Sequence, residues 1–246
     1  MASRRHERRD GSATPKCVPL PARYEDLWKA PFDTAVRMAL TPSMSILDLG
    51  AGRNPTIPQD ERPDGTTYVG LDLSREEIAA APAGSYDEHA AADIGTLQDQ
   101  LVGRFDLIVS WQVLEHVCDL GAAMVCIRAY LKPGGTFVAM FSGSRSAYAL
   151  INRVVPFYVG ARVVAKVMQR GPSNPVFAAY YDRCHASALH NMLTSWSSVR
   201  IEPFFRGADY FQFSRPLSRA YIAFENWASR GGHHDLATHY LLVAAR

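Results

Sequence analysis

Two features of the sequence could together bind a cofactor that contains a nucleoside. The first is the turn DLGAG, which contains Asp48, Gly50 and Gly52. Its backbone can approach a ligand closely because glycine has no Cβ. The second is Asp72, which ends the next apolar run about 20 residues further on, where an acidic side chain can accept both hydroxyls of a ribose. The spacing predicts a ribose-binding carboxylate beside a glycine turn.

The glycine turn does not continue as the turn of a dinucleotide-binding protein does. Such a turn has the pattern GxGxxG, whereas this chain reads GAGRNP. A nicotinamide reductase would need the third glycine, and also a catalytic Tyr-x-x-x-Lys or a similar group. The sequence therefore disfavours a pyrophosphate-containing cofactor.

Five segments in order resemble the motifs of the class I S-adenosylmethionine-dependent methyltransferases, and of their small-molecule group with a type 11-like domain. They cover about residues 44–142 and read ILDLGAGRNP, YVGLDLS, AADIGTL, FDLIVSWQVLEHV and LKPGGTFVAM. The resemblance implies S-adenosylmethionine as cofactor and S-adenosylhomocysteine as product. The chain departs from the family pattern at Arg53-Asn54-Pro55, which leaves the geometry of the first loop open.

The resemblance also implies which residues contact the cofactor. They are Asp48, Gly50 and Gly52 at the methionine part, Asp72 at the ribose with Leu73 next to it, Asp93 and Ile94 at the adenine, and Ser110 and Trp111 beside the sulfonium. Asp48 and Asp93 could instead be helix-cap or turn residues, and Trp111 an ordinary core residue.

Methyl transfer is an in-line attack on a sulfonium methyl group, so the protein mainly aligns the reactants and excludes water. A base is needed where the attacking group must lose a proton. The candidate catalytic bases are His116, which follows the fourth strand, and His185 in the acceptor-side segment. We favour His116, because it lies at the correct end of the sheet.

The segment Gln112–His116 also allows a metal-dependent interpretation. Some relatives that methylate ring hydroxyls resemble it but hold a divalent metal with Glu-x-x-Glu-His, and a metal could lower the pKa of a hydroxyl. Here Gln112 occupies the first position and is a poorer ligand, so no metal is expected. Glu115 and His116 would then make polar contacts at the start of a helix.

Two clusters of aromatic and charged residues lie where the family often binds its acceptor. The expected substrate-binding residues are Tyr180, Tyr181, Arg183 and Tyr210. The first cluster could equally be a helix start with packed tyrosines. The second, residues 206–215, could line the acceptor pocket or form the contact of a homodimer.

Alternating strands and helices predict an α/β fold with a doubly wound parallel sheet. With the resemblance, this becomes a Rossmann-like sheet of seven strands with the last strand antiparallel, plus helical insertions that form an acceptor-side cap. Predicted strands are 45–50, 67–74, 89–95, 105–111, 136–142, 198–205 and 239–245; predicted helices are 24–40, 76–81, 119–131, two within 146–169, 185–195 and part of 209–229.

Composition predicts one globular domain after a disordered basic tail. With 48% hydrophobic and 20% charged residues, the chain can bury a sizeable core, which excludes a disordered or collagen-like protein. The expected division is a tail over 1–22 and a methyltransferase domain over 23–246, with insertions at about 143–197 and 206–235. Four cysteines without a CxxC pair, and an N-terminus without an apolar signal, predict a cytoplasmic protein.

Charge and motifs narrow the expected partners. Residues 145–230 carry a net charge of +7, which suits a small-molecule acceptor that is anionic, glycosidic or lipid-linked. Residues 17–246 sum to −1 and no NPPY-type motif follows the fourth strand, so nucleic acid is not expected. Charges interrupt the apolar residues 146–169, so no transmembrane segment is expected. The predicted function is O-methylation of a hydroxyl; the alternative is a catalytically silent module that binds S-adenosylmethionine or a partner.

Overall fold

The computed structural model describes residues 18–146, 149–150 and 178–246. The strands in this part are β1 Ser45–Leu49, β2 Thr67–Asp72, β3 Glu88–Ala91, β4 Phe105–Trp111, β5 Leu131–Ser142, β6 Ser198–Phe204 and β7 His239–Ala245. The helices are α1 Ala30–Ala39, α2 Arg75–Ala79, α3 Leu120–Tyr130, α4 Ala186–Met192 and α5 Arg215–Arg230. Short 3-10 turns connect several of these elements.

All seven strands form one sheet in the order β3-β2-β1-β4-β5-β7-β6. Strands β1 to β5 pair in parallel, while β7 pairs antiparallel with both β5 and β6. This order confirms the predicted Rossmann-like sheet with its last strand antiparallel. The strand order reverses at β1, between β2 and β4, and ligands of open α/β sheets bind beyond the carboxyl ends of the strands at such a point. We call this side of the sheet the carboxyl edge.

Apolar side chains cover both faces of the sheet, as its parallel strands require. On one face, Phe32 and Val36 of α1 pack against Val109 of β4 and Leu241 of β7. On the other face, α3 and α4 pack against a larger cluster from the same strands. Helices thus cover both faces of the sheet. The ends of its strands are left to bind ligands.

Local signals in the sequence explain where the helices begin. Ser74 and Asp119 are N-caps: the Ser74 side chain accepts the N–H of Glu77 and the Asp119 side chain accepts that of Ala122. Helices α1 and α5 each have a proline in the first turn, where no N–H partner is lost.

The N-terminal residues of the described chain pack onto the segment between β6 and β7. Leu20 and Tyr24 contact an apolar cluster formed by Ala208, Phe211 and Tyr221, which we call the cap cluster. The buried carboxylate of Glu225 accepts hydrogen bonds from Arg23 and Tyr24 and from the backbone of Gly207. The backbone N–H of Val18, which lies within the tail predicted over 1–22, donates to the side chain of Gln212, and residues 1–17 lie outside the described residues.

Several predicted boundaries differ from those in the structure, each for a local reason. The helix predicted over 24–40 begins only at Ala30. The third strand ends at Ala91, because the Asp93 carbonyl accepts the N–H of Thr96 and starts a turn. Strand β5 begins at Leu131, which pairs with Phe105 across a register shift.

The last predicted helical stretch is divided into a 3-10 turn, Ala208–Phe211, and helix α5. The predicted helices within 146–169 lie almost wholly outside the described residues. Among the described residues, no helix is both long enough and apolar enough to cross a bilayer.

Candidate functional site

The predicted cofactor residues from three strands meet at the carboxyl edge. Asp48 in β1 lies level with Gly70 in β2 and Val109 in β4, so the ends of these strands are neighbours. Asp72 ends β2 and Trp111 ends β4. The structure therefore brings the glycine turn, Asp72 and the end of β4 together, as the sequence predicts.

The two glycines of the turn are required for different reasons. Gly50 has φ +72°, and a Cβ built on it would lie 2.2 Å from Cγ2 of Val113, so the protein itself excludes a side chain. Gly52 has φ +52°, but the nearest atom to such a Cβ would be Oδ2 of Asp72 at 3.8 Å. A Cβ at Gly52 would therefore make only ordinary van der Waals contacts within the protein, the shorter of them with the Asp72 carboxylate.

Asp72 is held by two backbone donors. Its Oδ2 accepts the N–H of Gly52 at 3.0 Å, and its Oδ1 accepts the N–H of Ser74 at 2.8 Å. Burial raises the pKa of Asp72, and these two hydrogen bonds oppose the rise. Because a carboxylate offers about four acceptor sites, each oxygen keeps the capacity to accept a further hydroxyl. The geometry suits a ribose diol.

Asp48 makes its contacts within the protein. The carboxylate is fully buried and accepts hydrogen bonds from the backbone N–H and the hydroxyl of Thr56 and from the hydroxyl of Tyr68. Desolvation raises its pKa to about 6, and the hydrogen bonds oppose this rise. Asp48 thus ties β1 to the loop that follows the glycine turn, so its direct contribution is to the shape of that loop.

The residues expected at the adenine, Asp93 and Ile94, follow the end of β3, and Leu73 follows the end of β2. Asp93 is exposed and its Oδ1 accepts the N–H of Gly95 at 2.7 Å, which makes it a turn residue with one oxygen engaged. Ile94 packs partly against the core. Leu73, next to Asp72, is 76% exposed, which is unusual for a leucine and leaves an apolar surface beside the carboxylate.

Ser110 and Trp111 are less accessible than a direct cofactor contact would suggest. Ser110 is fully buried, and its hydroxyl donates to the carbonyl of Leu49 at 3.3 Å. The ring of Trp111 lies 5.0 Å from that of Phe32 in α1 and 6.0 Å from that of Trp28. The core-packing alternative for Trp111 is thus visible in the structure.

The two candidate bases lie beyond different strands. His116 follows β4, and its Nδ1 lies 2.8 Å from the carbonyl oxygen of Ala178, which can only accept. Nδ1 is therefore the donor in this contact. His185 follows β5, with Nδ1 3.2 Å from the hydroxyl of Ser144. His116 is the one next to the strand that ends at the cofactor residues.

Only one of the two carboxylate oxygens of Glu115 has a hydrogen-bond partner among the described residues, and the other, Oε2, is buried without one. Its Oε1 accepts the hydroxyl of Ser142 at 2.9 Å and the backbone N–H of Ser142 at 3.2 Å. The carboxylate is buried and directed towards β5. Within the described ranges, no group of three or more His, Cys, Asp or Glu side chains is arranged to hold a metal ion.

The expected acceptor residues do not form one wall. The backbone N–H groups of Tyr180 and Tyr181 both donate to the carbonyl of Glu115, which places this segment against His116. Tyr180 is 54% exposed, whereas the Tyr181 side chain is buried. Arg183 pairs with Asp119 and Asp182. Tyr210 lies apart from them, against the cap cluster.

Sequence reasoning missed the residues that shape the glycine loop from behind. Thr56 and Tyr68 hold Asp48, and the Tyr86 hydroxyl donates to the carbonyls of Ala51 and Gly52 at 2.7 and 3.1 Å. A tyrosine within a buried strand was the available signal, because its hydroxyl needs a partner there. The path of the loop, which supplies Thr56, has no such signal.

Sequence comparison places this chain beside known methyltransferases. Residues 23–202 match a family model described as a methyltransferase domain. The ubiquinone biosynthesis O-methyltransferase of Bradyrhizobium sp. (strain ORS 278) is 29% identical over 185 residues, covering 73% of this chain and 69% of that protein. That of Rhodopseudomonas palustris (strain TIE-1) is 29% identical over 141 residues, 56% of this chain and 53% of that protein. The chain thus spans little more than half of several curated relatives.

Solved structures share the fold. Phosphoethanolamine N-methyltransferase 2 from Haemonchus contortus, in complex with S-adenosyl-L-methionine, has a TM-score of 0.56 at 15% identity, covering 89% of this chain and 52% of that one. A SAM dependent methyltransferase from Archaeoglobus fulgidus has a TM-score of 0.54 at 18% identity, covering 92% and 95%. At these identities the likeness concerns the fold alone.

Proposed function

The chain belongs to the methyltransferase-domain family, and from this premise we propose that it transfers the methyl group of S-adenosylmethionine to a hydroxyl group. The observation that carries the proposal is the carboxylate of Asp72, fixed by Gly52 and Ser74 with acceptor capacity remaining on both oxygens. A ribose diol is the ligand that such a carboxylate at the end of β2 is suited to bind.

The surroundings of Asp72 support the rest of this cofactor. The exposed side chain of Leu73 offers an apolar surface to the adenine, and Asp93 and Ile94 lie at the end of the neighbouring strand. The absence of a Cβ at Gly52 allows the backbone of the turn to approach the amino-acid part closely. When bound, S-adenosylmethionine supplies an electrophilic methyl group on sulfur.

The protein's own contribution to the reaction is alignment and removal of a proton. The acceptor oxygen forms a bond to the methyl carbon as the bond from that carbon to sulfur breaks, leaving a methyl ether, S-adenosylhomocysteine and a proton. We assign the removal of this proton to His116, which follows β4 at the carboxyl edge and is oriented by the contact of its Nδ1 with the Ala178 carbonyl. His185 beside Ser144 is the alternative base.

Two observations support a hydroxyl acceptor that is a small molecule, a sugar or a lipid-linked compound. The curated relatives are named O-methyltransferases. Residues 145–230 are basic overall, and the exposed Tyr180 offers an aromatic contact near His116. Tyr180, Tyr181, Arg183 and Tyr210 remain our candidate acceptor contacts.

The test is transfer of tritium-labelled methyl groups to a panel of acceptors: catechol, methyl glucopyranoside, a prenylated phenol and an aniline analogue. We expect a methyl ether from at least one hydroxyl acceptor, with loss of transfer in Asp72→Asn. Asp106→Asn is the matched control, because Asp106 lies at the start of β4, on the opposite edge of the sheet. Methylation of the aniline alone would contradict O-methylation, and cofactor binding without any product would favour the catalytically silent module.

A further inference from the structure

The Asp72 carboxylate belongs to a closed ring of contacts. Gly52 donates to Asp72, Asp72 accepts from the N–H of Ser74, and the Ser74 hydroxyl accepts the N–H of Glu77. The Glu77 carboxylate then pairs with the guanidinium of Arg53, which is joined to Gly52 by a peptide bond. The ring thus passes from the turn after β1 to the helix after β2 and back.

The link between Arg53 and Glu77 has the geometry of a strong ion pair. Arg53 Nε lies 2.7 Å from Glu77 Oε2, and Nη2 lies 2.6 Å from Oε1. Such bidentate ion pairs fix the orientation of the two side chains as well as the distance between them. The Glu77 side chain is 17% exposed and the Arg53 side chain 36%, so water reaches the pair mainly from the Arg53 side.

Charge gives the pair a second effect on Asp72. Burial is the main cause of the raised pKa of Asp72, and the negative charge of Glu77 adds to the rise, so both oppose the ionised form that would accept ribose hydroxyls. The hydrogen bonds from Arg53 lower the pKa of Glu77, because they stabilise its charged form. Arg53 thus supplies the positive charge that balances Glu77 next to Asp72.

We propose that Arg53 and Glu77 form a latch across the two cofactor loops, which holds Asp72 in position and slows release of the cofactor's ribose end. The proposal rests on the proposed function, since it assumes that Asp72 binds ribose. It also gives a role to Arg53, the first of the three residues Arg53-Asn54-Pro55 at which the chain departs from the family's motif. Arg53 and Glu77 are positioning residues in this account, acting through Asp72.

The competing explanation is an ordinary surface ion pair, which would affect neither stability nor binding by much. The chain offers a matched control for it. Arg104 Nη2 lies 3.0 and 3.1 Å from the two carboxylate oxygens of Glu88. Glu88 begins β3, at the end of that strand remote from Asp72. Breaking this pair removes a comparable interaction away from the carboxyl edge.

The experiment measures the dissociation rate of S-adenosylhomocysteine from the immobilised full chain by surface plasmon resonance. We expect Arg53→Gln and Glu77→Gln each to raise this rate about tenfold, since affinity changes within one interface appear mostly in dissociation. The dissociation rate of the double variant should be no higher than that of either single variant, because both substitutions remove the same ion pair. Arg53→Lys keeps the positive charge but cannot form the bidentate pair. Its dissociation rate should therefore lie between those of Arg53→Gln and the wild type.

Two further measurements separate the latch from a general loss of structure. Adenosine, which has the ribose but not the methionine part, should lose affinity by a similar factor in Arg53→Gln. The unfolding midpoint of each variant should be close to that of Glu88→Gln. Dissociation rates no higher than that of Glu88→Gln would overturn the latch while leaving the proposed function intact. A wild-type chain that bound no S-adenosylhomocysteine would instead contradict the proposed function itself.

Discussion

The backbone N–H of Gly52 donates to Oδ2 of Asp72 across 3.0 Å, which joins the turn after β1 to the end of β2. This contact makes the glycine turn and the carboxylate one unit. A substitution of either residue should therefore alter the position of the other.

The two glycines of the turn should respond differently to alanine. In Gly50→Ala, the new Cβ would collide with Val113 in a left-handed backbone conformation, so we expect a loss of about 3 kcal/mol in the free energy of unfolding. Gly52→Ala meets no such contact and should lose only about 1 kcal/mol, from its positive φ. Urea unfolding measures both.

The same pair of variants separates stability from binding. Although Gly52→Ala is the milder change for folding, it should weaken the binding of S-adenosylhomocysteine more than Gly50→Ala does. The reason is that its methyl group occupies the space beside Asp72. Equal stability losses in the two variants, or unchanged binding in Gly52→Ala, would contradict the roles assigned to the two glycines.

Asp48 should make stability depend on pH in the acid range. Its pKa is raised to about 6 in the folded chain, so the folded state binds the proton more tightly than the unfolded state does. The resulting stabilisation is present below the unfolded pKa of about 3.9 and is lost as pH rises through 6. Compared with Asp48→Asn, the wild type should therefore lose about 2–3 kcal/mol between pH 4 and pH 7. Urea unfolding of both at several pH values checks this, and a constant difference would contradict it.

His239 should have the opposite dependence. It is buried at the start of β7, its Nδ1 has no hydrogen-bond partner among the described residues, and its ring centroid lies 3.9 Å from that of Trp28. Desolvation lowers its pKa to about 3. The folded state therefore keeps this ring neutral, and stability is lost as pH falls below about 6.5.

Replacing His239 tests this directly. His239→Phe keeps a ring against Trp28 and removes the ionisable group, so it should gain about 2 kcal/mol relative to the wild type between pH 7 and pH 5. Thermal unfolding at the two pH values measures the change. His234→Phe is the control for replacing a histidine by phenylalanine, because His234 is exposed.

The two candidate bases make distinct predictions for turnover. His116→Gln should lower kcat by about 100-fold or more if His116 takes the proton, with little change in S-adenosylhomocysteine binding. His185→Gln should lower it far less. Rates measured with the best hydroxyl acceptor of the panel would decide, and the reverse order would assign the proton transfer to His185.

The sequence was sufficient for those parts of the site that follow from strand periodicity. Asp48, Asp72 and Trp111 lie where buried apolar runs end, so their meeting at one edge follows from a parallel sheet. The side-chain partners could not be predicted in the same way. Thr56 reaches Asp48 because of the path of a loop, and periodicity does not describe that path.

The boundaries that differed have a similar explanation. Residues 25–29 continue a helical pattern of apolar residues, yet Trp28 packs on His239 and Lys29 Nζ donates to the carbonyl of Thr56. Tertiary contacts of this kind override local propensity. The buried state of His239 was likewise beyond prediction, because histidine is intermediate between the residue types that are usually buried and those that are usually exposed.

The most direct test of the central claim is calorimetric titration of the chain with S-adenosylhomocysteine and with NADH, for the wild type, Asp72→Asn and the control Asp106→Asn. We expect S-adenosylhomocysteine to bind the wild type and the control alike, and to bind Asp72→Asn about 100-fold more weakly, since hydrogen bonds to a charged group are lost. NADH should bind none of them. Binding of NADH alone, or equal binding of S-adenosylhomocysteine by Asp72→Asn and Asp106→Asn, would contradict a ribose site at Asp72.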